Sequence, residues 1–363
     1  MGELTAGLFG HSNPIIRQTI ISTIDTIGLN LGGNTTAEAS YAALLCSRFH
    51  LDLIRFCNSG TEANLHALAA ARRFTGKRKI VVFGGGYHGA VLSFGGGKPA
   101  ANNVDLDDWI VARYNDIEAA QAAIRTEGVA AVLLEGMQGS AGAICATSEF
   151  MHAVQDAAKE SGVLFMLDEV MTSRFGPNGI AGLMGLEPDL RTFGKYLGGG
   201  LAFGAFGGRS DIMGVFDPRN ASALAHSGTF NNNTLAMNAG YAAMSQIFTP
   251  EVCTEFTSLG EWFLESLSEV TKGTKCCFTG KGTILTVHFT DAGVQKITRG
   301  EDVAERWDLK DVFWMEMMDE GFLIQRRGTI ALILETPKAE LERFVDCVRA
   351  FLAKHSEIMK VAG

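Results

Sequence analysis

Short apolar runs alternate with helix-forming segments along the first two thirds of the chain. The runs are only five to seven residues long, which is typical of strands buried on both faces of a parallel sheet. Three of the runs have a charged residue at their C-terminal end. The alternation therefore predicts an α/β fold with a mainly parallel sheet. The predicted strands are Leu53–Cys57, Lys79–Phe83, Val129–Leu134, Leu164–Val170 and Leu190–Lys195. The predicted helices are Pro14–Ile24, Thr36–Phe49, Glu62–Phe74, Ser148–Gly162 and Leu235–Ile247.

The pattern changes near Pro250. The last third combines helices with strands at Phe278, Ile284–Phe289 and Ile330–Leu334, which is typical of a compact α+β module. A chain of 363 residues is long enough for two domains. We expect a large domain of residues 34–247 and a smaller α+β domain of residues 1–33 and 248–363.

Two predicted strands end in charges that suit one kind of chemistry. Asp168 closes one run and Lys195 closes the next. Ligands of open parallel sheets bind beyond the carboxyl ends of the strands, so both charges are expected in one crevice. A lysine forms a Schiff base with the aldehyde of pyridoxal phosphate, and an aspartate keeps the pyridine nitrogen protonated. These two residues alone leave an ordinary buried ion pair as the alternative.

Two loops could hold such a cofactor. Asn58–Asn64 puts serine, glycine and threonine at a helix N-terminus, where free N–H groups and the helix dipole attract anions. A plain N-cap is the alternative. Gly84–Gly89 fits the GxGxxG pattern of dinucleotide sites, but more glycines follow soon after it instead of a long helix. We therefore expect the glycines to let Tyr87 lie on a flat cofactor.

Composition excludes several other classes. A net charge of −9 gives no support to nucleic-acid binding. No apolar run suggests a signal peptide or a membrane span, because the stretch Leu197–Gly208 is interrupted by glycines. Seven scattered cysteines indicate reduced thiols, and no histidine near Cys276 and Cys277 suggests a metal site. We expect a cytoplasmic protein without a metal.

Taken together, the motifs resemble one known family. The chain resembles the class III aminotransferases of the fold type I pyridoxal-phosphate superfamily, and most of all the group of glutamate-1-semialdehyde aminomutase and the β-phenylalanine aminotransferases. The matching segments follow the family order along most of the chain. They are Asn58–Asn64, Gly86–Gly89, Asp168–Arg174, Gly194–Tyr196 and Gly228–Asn233. The asparagine run 231–233 and the sequence Arg326-Arg327-Gly328 favour the β-amino-acid branch.

The resemblance implies a role for each residue that matches a family motif. Lys195 would carry the cofactor and Asp168 would pair with its pyridine nitrogen, while Val170 and Tyr87 would pack on the two faces of the ring. Arg327 would bind the substrate carboxylate, a bidentate task that suits a guanidinium group. The other cofactor-binding residues that the resemblance implies are Ser59, Gly60 and Thr61 at the phosphate, Thr229 from the neighbouring subunit of a homodimer, Gln138 at the phenolate oxygen, and His88 and Glu135.

The chain departs from the family pattern in two places. Gly136 stands where the family typically has proline, which should loosen that loop. Family members also carry a substantial segment before the position of Gly2. We expect the pocket wall and the second carboxylate-binding arginine of that segment to be absent or replaced.

The expected activity is a ping-pong transamination. An amino acid, with a β-amino acid favoured, would become an oxo acid, and a keto acid such as 2-oxoglutarate would accept the amino group. An aminomutase that moves the amino group within one molecule is the first alternative. A binding protein that keeps the fold without activity is the second.

Overall fold

A computed structural model describes residues 2–29, 33–291 and 297–361 of the chain. Its strands are β1 Leu53–Cys57, β2 Lys79–Phe83, β3 Trp109–Ala112, β4 Val129–Glu135, β5 Met137–Gln138, β6 Ile144–Cys145, β7 Leu164–Asp168, β8 Leu190–Gly194, β9 Gly204–Gly208, β10 Cys276–Lys281, β11 Ile284–Phe289 and β12 Thr329–Ala331. Its helices are α1 Pro14–Thr26, α2 Thr36–Phe49, α3 Gly60–Thr75, α4 Ile117–Ile124, α5 Ser148–Ser161, α6 Gly179–Met184, α7 Ser210–Met213, α8 Thr234–Ala242, α9 Pro250–Thr271, α10 Trp307–Asp319, α11 Lys338–Lys354 and α12 Ser356–Met359.

Within these described residues, seven strands form the central sheet in the order β1-β9-β8-β7-β4-β2-β3. Every neighbouring pair is parallel except the two pairs that include β9. The mainly parallel α/β sheet predicted from the sequence is thus confirmed. Glu135 of β4 lies opposite Asp168 of β7, which in turn lies opposite Thr192 of β8. The carboxyl ends of three adjacent strands therefore bring polar side chains to one edge.

Helices cover both faces of this sheet. Val132 and Leu134 of β4 pack with α4 and α5 on one face, while Ala131 and Leu133 pack with α3 on the other. Both faces of the strand are therefore buried, and its sequence is apolar without alternation. Helix α3 begins where the Ser59 hydroxyl accepts a hydrogen bond from the Glu62 N–H at 3.2 Å. The cap fixes the helix N-terminus directly after β1.

The C-terminal third forms the predicted α+β module. Strands β10, β11 and β12 make an antiparallel sheet, against which α9 and α10 pack, and α11 packs on α9. The N-terminal residues join this module, because the Gly2 N–H donates to the Ala331 carbonyl and the Leu334 N–H donates to the Leu8 carbonyl, both at 2.9 Å. Helix α1 packs instead on α8. The start of the chain thus contacts both parts of the molecule.

The structure adds elements that the apolar pattern did not predict. Strands β3 and β9 and helix α4 are new, and β12 ends at Ala331 rather than at Leu334. Helix α8 passes into a π-helical turn at Ala243–Ile247, inside the range predicted as one helix. Among the described residues, no helix combines the length and apolar character needed to cross a membrane.

Candidate active site

Asp168, the last residue of β7, lies at the centre of a buried hydrogen-bond network. Its Oδ2 accepts from Asn64 Nδ2 at 2.9 Å and lies 2.8 Å from His88 Nδ1, and its Oδ1 accepts from the Val170 N–H at 2.9 Å. Asn64 is held in turn by the Thr192 hydroxyl, which donates to Asn64 Oδ1 at 2.8 Å. The carboxylate is therefore fixed by partners from α3, the loop after β2, and its own loop.

Glu169, the next residue, points the other way. Its carboxylate pairs with the Arg191 guanidinium, where Arg191 Nε donates at 2.8 Å, and accepts the Ala181 N–H at 3.0 Å. Both members of this ion pair are buried. Because successive residues of a strand point to opposite sides, only Asp168 of this acidic pair reaches the crevice.

Glu135 supports the loops around the crevice. Its two oxygens accept hydrogen bonds from the Tyr87 N–H at 2.9 Å and the Gly139 N–H at 3.2 Å. Burial raises the pKa of the Glu135 carboxyl to about 7, an effect that His88 opposes and Asp168 increases. The group therefore changes its protonation near neutral pH.

Lys195 follows β8 directly and opens on a cleft. Burial lowers the pKa of its amine, Asp168 and Glu135 oppose that shift, and Arg327 adds to it. A lowered pKa makes the neutral, nucleophilic amine more available. The cleft has a volume of about 910 Å³ and is lined by Lys195, by residues 58–60 and by parts of α1. The predicted phosphate loop and the lysine thus share one space.

The N-terminus of α3 has the shape that an anion requires. Gly60 lies so close to Val170 that a β-carbon on Gly60 would come within 2.7 Å of Val170 Cγ2. Thr61 packs against Gly89, where a side chain would collide with the threonine. The Ser59 cap uses the Glu62 N–H, which leaves the N–H groups of Gly60 and Thr61 without a helical acceptor and available to a phosphate.

Tyr87 and Gln138 lie on the loop side of the crevice. The Tyr87 side chain is 42% exposed and its backbone bridges to Ser93. Gln138 donates from Nε2 to the Gly84 carbonyl at 2.9 Å, but its Oε1 is buried without a hydrogen-bond partner in the described residues. A buried oxygen without a partner is unusual and is consistent with a missing ligand.

Arg326 and Arg327 have different surroundings. Arg326 forms a bidentate pair with Asp311 at 2.8 and 2.7 Å, whereas Arg327 donates from Nε to the Gln325 side chain at 2.9 Å. No carboxylate in the described ranges lies within ion-pair distance of Arg327. Arg327 also lines a cavity of about 350 Å³ with the turn Gly139–Gly142. Its charge is therefore available to a ligand.

Thr229 is the one expected cofactor residue that lies apart from the others. It belongs to an exposed loop and lines a separate cavity of about 880 Å³. Asn231 of that loop accepts from Asn58 Nδ2 at 2.9 Å, which brings the loop to the first residue of the phosphate motif.

The sequence did not indicate three further residues of this region. Asn64 and Thr192 hold Asp168, and Arg17 of α1 lines the cleft with Lys195. Asn64 stands in the motif Asn58–Asn64, one helical turn after Gly60, so its position on the same helix face was a usable signal.

Comparison with known proteins identifies the family. The model of the aminotransferase class-III family matches residues 1–338. An uncharacterised aminotransferase of Schizosaccharomyces pombe is 45% identical over 99% of this chain and 82% of its own length. The β-phenylalanine transaminase of Variovorax paradoxus is 42% identical over 100% of this chain and 83% of its own. A glutamate-1-semialdehyde 2,1-aminomutase of Caldicellulosiruptor saccharolyticus is 32% identical over 95% and 84%.

Solved structures agree with this result. A β-phenylalanine aminotransferase from Variovorax paradoxus superposes with a TM-score of 0.95 at 42% identity, covering 100% of this chain and 84% of that one. A transaminase solved with pyridoxal phosphate bound has a TM-score of 0.87 at 26% identity, covering 97% and 85%. The chain belongs to the class III aminotransferases and is a pyridoxal-phosphate-dependent enzyme with the fold type I architecture.

The residues present fit this cofactor. The crevice holds a desolvated amine, a carboxylate fixed by two neighbouring side chains, a helix N-terminus and the unpartnered oxygen of Gln138.

Proposed function

We propose that this aminotransferase transfers the amino group of a β-amino acid to a keto acid. The observation that carries the proposal is Arg327, whose charge acts on Lys195 and has no carboxylate partner in the described residues. A guanidinium without a carboxylate partner, lining a cavity with the turn Gly139–Gly142, suits a donor that bears a carboxylate. The relative that is a β-phenylalanine transaminase supports the choice of a β-amino acid.

The chain's own residues divide the work as follows. When bound, pyridoxal phosphate supplies the carbonyl that takes up the amino group and a ring that withdraws electrons from the substrate carbon. Lys195 anchors the cofactor and afterwards moves a proton at the reacting carbon. Asp168, held by Asn64 and His88, keeps the pyridine nitrogen protonated.

Other residues hold the cofactor in place. Ser59, Gly60 and Thr61 bind the phosphate through the N-terminus of α3. Val170 and Tyr87 would hold the ring of the cofactor, and Gln138 would bind its phenolate oxygen. Glu135 fixes the loops that carry Tyr87 and Gly139.

We further propose a homodimer in which Thr229 reaches the phosphate site of the partner. Thr229 is exposed and lies outside its own Lys195 cleft, and a C₂ interface would complete two sites at once. The test mixes two inactive variants, Lys195→Ala and Thr229→Ala, under conditions that exchange subunits. Regained activity supports a shared site, because one hybrid site then has both residues intact. A fully active monomer would contradict the dimer.

We propose two domains, residues 34–247 and residues 1–33 with 248–363. The hydrogen bonds from Gly2 to Ala331 and from Leu334 to Leu8 support the link between the two ends. Residues 1, 30–32, 292–296 and 362–363 of the second domain lie outside the described residues. Limited proteolysis should cut first near the boundaries at residues 33 and 248.

We propose a cytoplasmic location. All seven cysteines are free thiols in the structure, as expected in a reducing compartment. Fractionation of the expressing cell tests this, and recovery in an oxidising compartment would contradict it.

The activity is tested with a panel of donors. Purified enzyme loaded with cofactor is mixed with 3-aminobutyrate, β-phenylalanine, glutamate 1-semialdehyde or alanine, and the cofactor absorbance is followed. A β-amino acid should shift the spectrum to the amino form of the cofactor, and 2-oxoglutarate or pyruvate should restore it. Turnover of glutamate 1-semialdehyde alone, without a keto acid, would identify an aminomutase instead. No spectral change with any donor would favour a protein without activity.

A further inference from the structure

A buried ionic cluster lies between the C-terminal module and the turn that follows β5. His288 Nδ1 is 3.0 Å from Glu305 Oε2, and Lys310 Nζ is 2.7 Å from the same oxygen. The Phe289 N–H donates to the other oxygen, Glu305 Oε1, at 2.7 Å. His288 and Lys310 are 3% and 2% exposed. Buried charges of this kind need partners, and here they have one another.

His288 contacts the turn through its second ring nitrogen. Its Nε2 lies 2.9 Å from the Thr279 hydroxyl and 3.2 Å from the Gly142 carbonyl. The Thr279 hydroxyl donates to the same carbonyl at 2.5 Å. The histidine ring and the threonine thus meet at Gly142, while Nδ1 faces Glu305.

Glu305 is ionised in this arrangement. Burial acts to raise the pKa of its carboxyl, but hydrogen bonds from His288 and Lys310 outweigh burial and lower it overall. The other titratable groups that face the ring are Cys277, which pairs with His288 in the sheet, and Arg327 across the cavity. Burial raises the pKa of Cys277 to about 11, so this thiol stays neutral at ordinary pH. The turn Gly139–Gly142 contributes no titratable side chain.

The cluster connects both sides of the active site. Gly142 closes a turn in which its N–H donates to the Gly139 carbonyl at 3.3 Å, and the Gly139 N–H binds Glu135. At the other end of the cluster, Lys310 packs closely on Gly328. A β-carbon on Gly328 would lie 2.7 Å from Lys310 Cε. Gly328 follows Arg327 directly. The chain of contacts therefore runs from the Glu135 loop to the arginine.

We propose that His288 is a positioning residue, which bridges Glu305 and the Gly142 carbonyl and so holds the turn Gly139–Gly142 at a fixed distance from Arg327. This inference rests on the proposed function, because it assumes that Arg327 binds the donor carboxylate. Without the imidazole ring, the Gly142 carbonyl would lose its contact with Nε2. The turn would then loosen, and the donor carboxylate would be held less well relative to Lys195.

The structure offers a matched control. His355 forms a similar cluster, with Nε2 2.7 Å from Glu316 Oε1 and Lys354 Nζ 2.9 Å from the same oxygen. That cluster joins α10 to the end of α11, and within the part of the chain that the structure describes its side chains hydrogen-bond only to one another. His355→Gln should therefore remove the same type of interaction without affecting the active site.

The first measurement does not depend on activity. Amide hydrogen exchange is followed in residues 136–145 of the cofactor-loaded enzyme, for wild type, His288→Phe, His288→Gln and His355→Gln. Faster exchange is expected in both His288 variants, and most of all in His288→Phe, while His355→Gln should match wild type. Should His288→Phe fail to fold, His288→Gln is compared alone. Unchanged exchange in the His288 variants would overturn the proposal.

The second measurement separates positioning from a general structural role. The values of kcat and KM are measured with a β-amino acid for wild type, His288→Gln and His355→Gln. In His288→Gln we expect KM to rise about 2–12-fold, the effect of one hydrogen bond, while kcat stays near that of the wild type. His355→Gln should match the wild type in both constants. A loss in His288→Gln that lies mainly in kcat, or an equal loss in His355→Gln, would overturn the proposal.

The two hypotheses can fail separately. Absence of amino transfer by the wild-type enzyme would refute the proposed function, and the exchange experiment would still decide whether His288 holds the turn. Normal transfer with unchanged exchange in the variants would refute only the role of His288.

Discussion

The two sides of the active site are built in different ways. On the cofactor side, Glu135, Asp168 and Lys195 stand at the ends of three adjacent strands, where sheet register sets their spacing. On the carboxylate side, Arg327 lies in the exposed loop before β12, and among the described residues its side chain donates a hydrogen bond to Gln325 alone.

This difference matches two different requirements. Proton transfer demands reacting groups held within fractions of an ångström, and hydrogen-bonded strands provide that rigidity. Binding a carboxylate demands a cation that can adapt to donor and acceptor, which a loop permits. We therefore expect changes on the cofactor side to lower kcat and changes on the carboxylate side to raise KM.

The largest effect is expected from Lys195→Ala. The variant loses both the cofactor anchor and the proton-transfer group, and proton transfer alone contributes about 10²–10⁴-fold. Steady-state assays with a β-amino acid measure the loss. Borohydride reduction and peptide mapping of the wild type provide the second check, since a cofactor label on any lysine other than Lys195 would refute the assignment.

Asp168→Asn and Glu169→Gln compare two neighbouring buried acids. Asp168→Asn should keep the cofactor but lower kcat on the order of 10²–10³-fold, as loss of one preorganised electrostatic group does. Glu169→Gln should instead destabilise the fold, because a broken buried ion pair costs about 3–5 kcal/mol. Denaturant unfolding and kcat are measured for both. Near-normal turnover in Asp168→Asn would show that another acid serves the cofactor.

Arg327→Ala tests the carboxylate side. Loss of a charge-assisted contact worth about 1.5–3 kcal/mol should raise KM for a β-amino acid about 10–150-fold. A matched aryl amine without a carboxylate should be affected far less. Arg326→Ala is the control, since the exposed pair with Asp311 should contribute little to stability and nothing to the binding of the donor. Equal losses for both substrates would mean that Arg327 supports the fold.

The smallest effect concerns Glu135 and pH. Its folded pKa of about 7 lies above the ordinary value of 4.5, so between these values the folded chain holds a proton that the unfolded chain has released. Stability should therefore fall as the pH rises through this window, by at most about 1.4 kcal/mol per pH unit. Glu135→Gln should remove this slope in urea unfolding of the cofactor-free protein. Parallel pH curves for wild type and variant would contradict the prediction.

The same contrast explains what the sequence could predict. Asp168 and Lys195 ended apolar runs, and the ends of parallel strands meet at one edge, so their proximity followed from the pattern. Asn64 and Thr192 end no apolar run, and their role depends on partners from separate segments; for Asn64 the helix face shared with Gly60 was the one usable signal. The apolar pattern did not distinguish Arg326 from Arg327 either, since a loop has no periodicity that assigns its side chains to a face, and the choice of Arg327 rested on the family resemblance.

Strand β9 was missed for a steric reason. Its sequence, Gly204–Gly208, has three glycines and reads as a turn. In the sheet, a β-carbon on Gly207 would collide with the Leu53 carbonyl oxygen. The glycines thus allow β9 to fit between β1 and β8 with close backbone contacts. Strand propensities do not contain this information.

The backbone of Lys195 has a consequence for the evolution of this protein. Its φ angle of +58° lies in the left-handed region, where a residue with a β-carbon is disfavoured by roughly 1–2 kcal/mol. Glycine would relieve that penalty, so an inactive Lys195→Gly protein should withstand heat better than Lys195→Ala when both lack cofactor. The proposed role of the amine requires a side chain at a position where the backbone alone favours none. Genes released from selection for activity would therefore be free to drift toward glycine at this position.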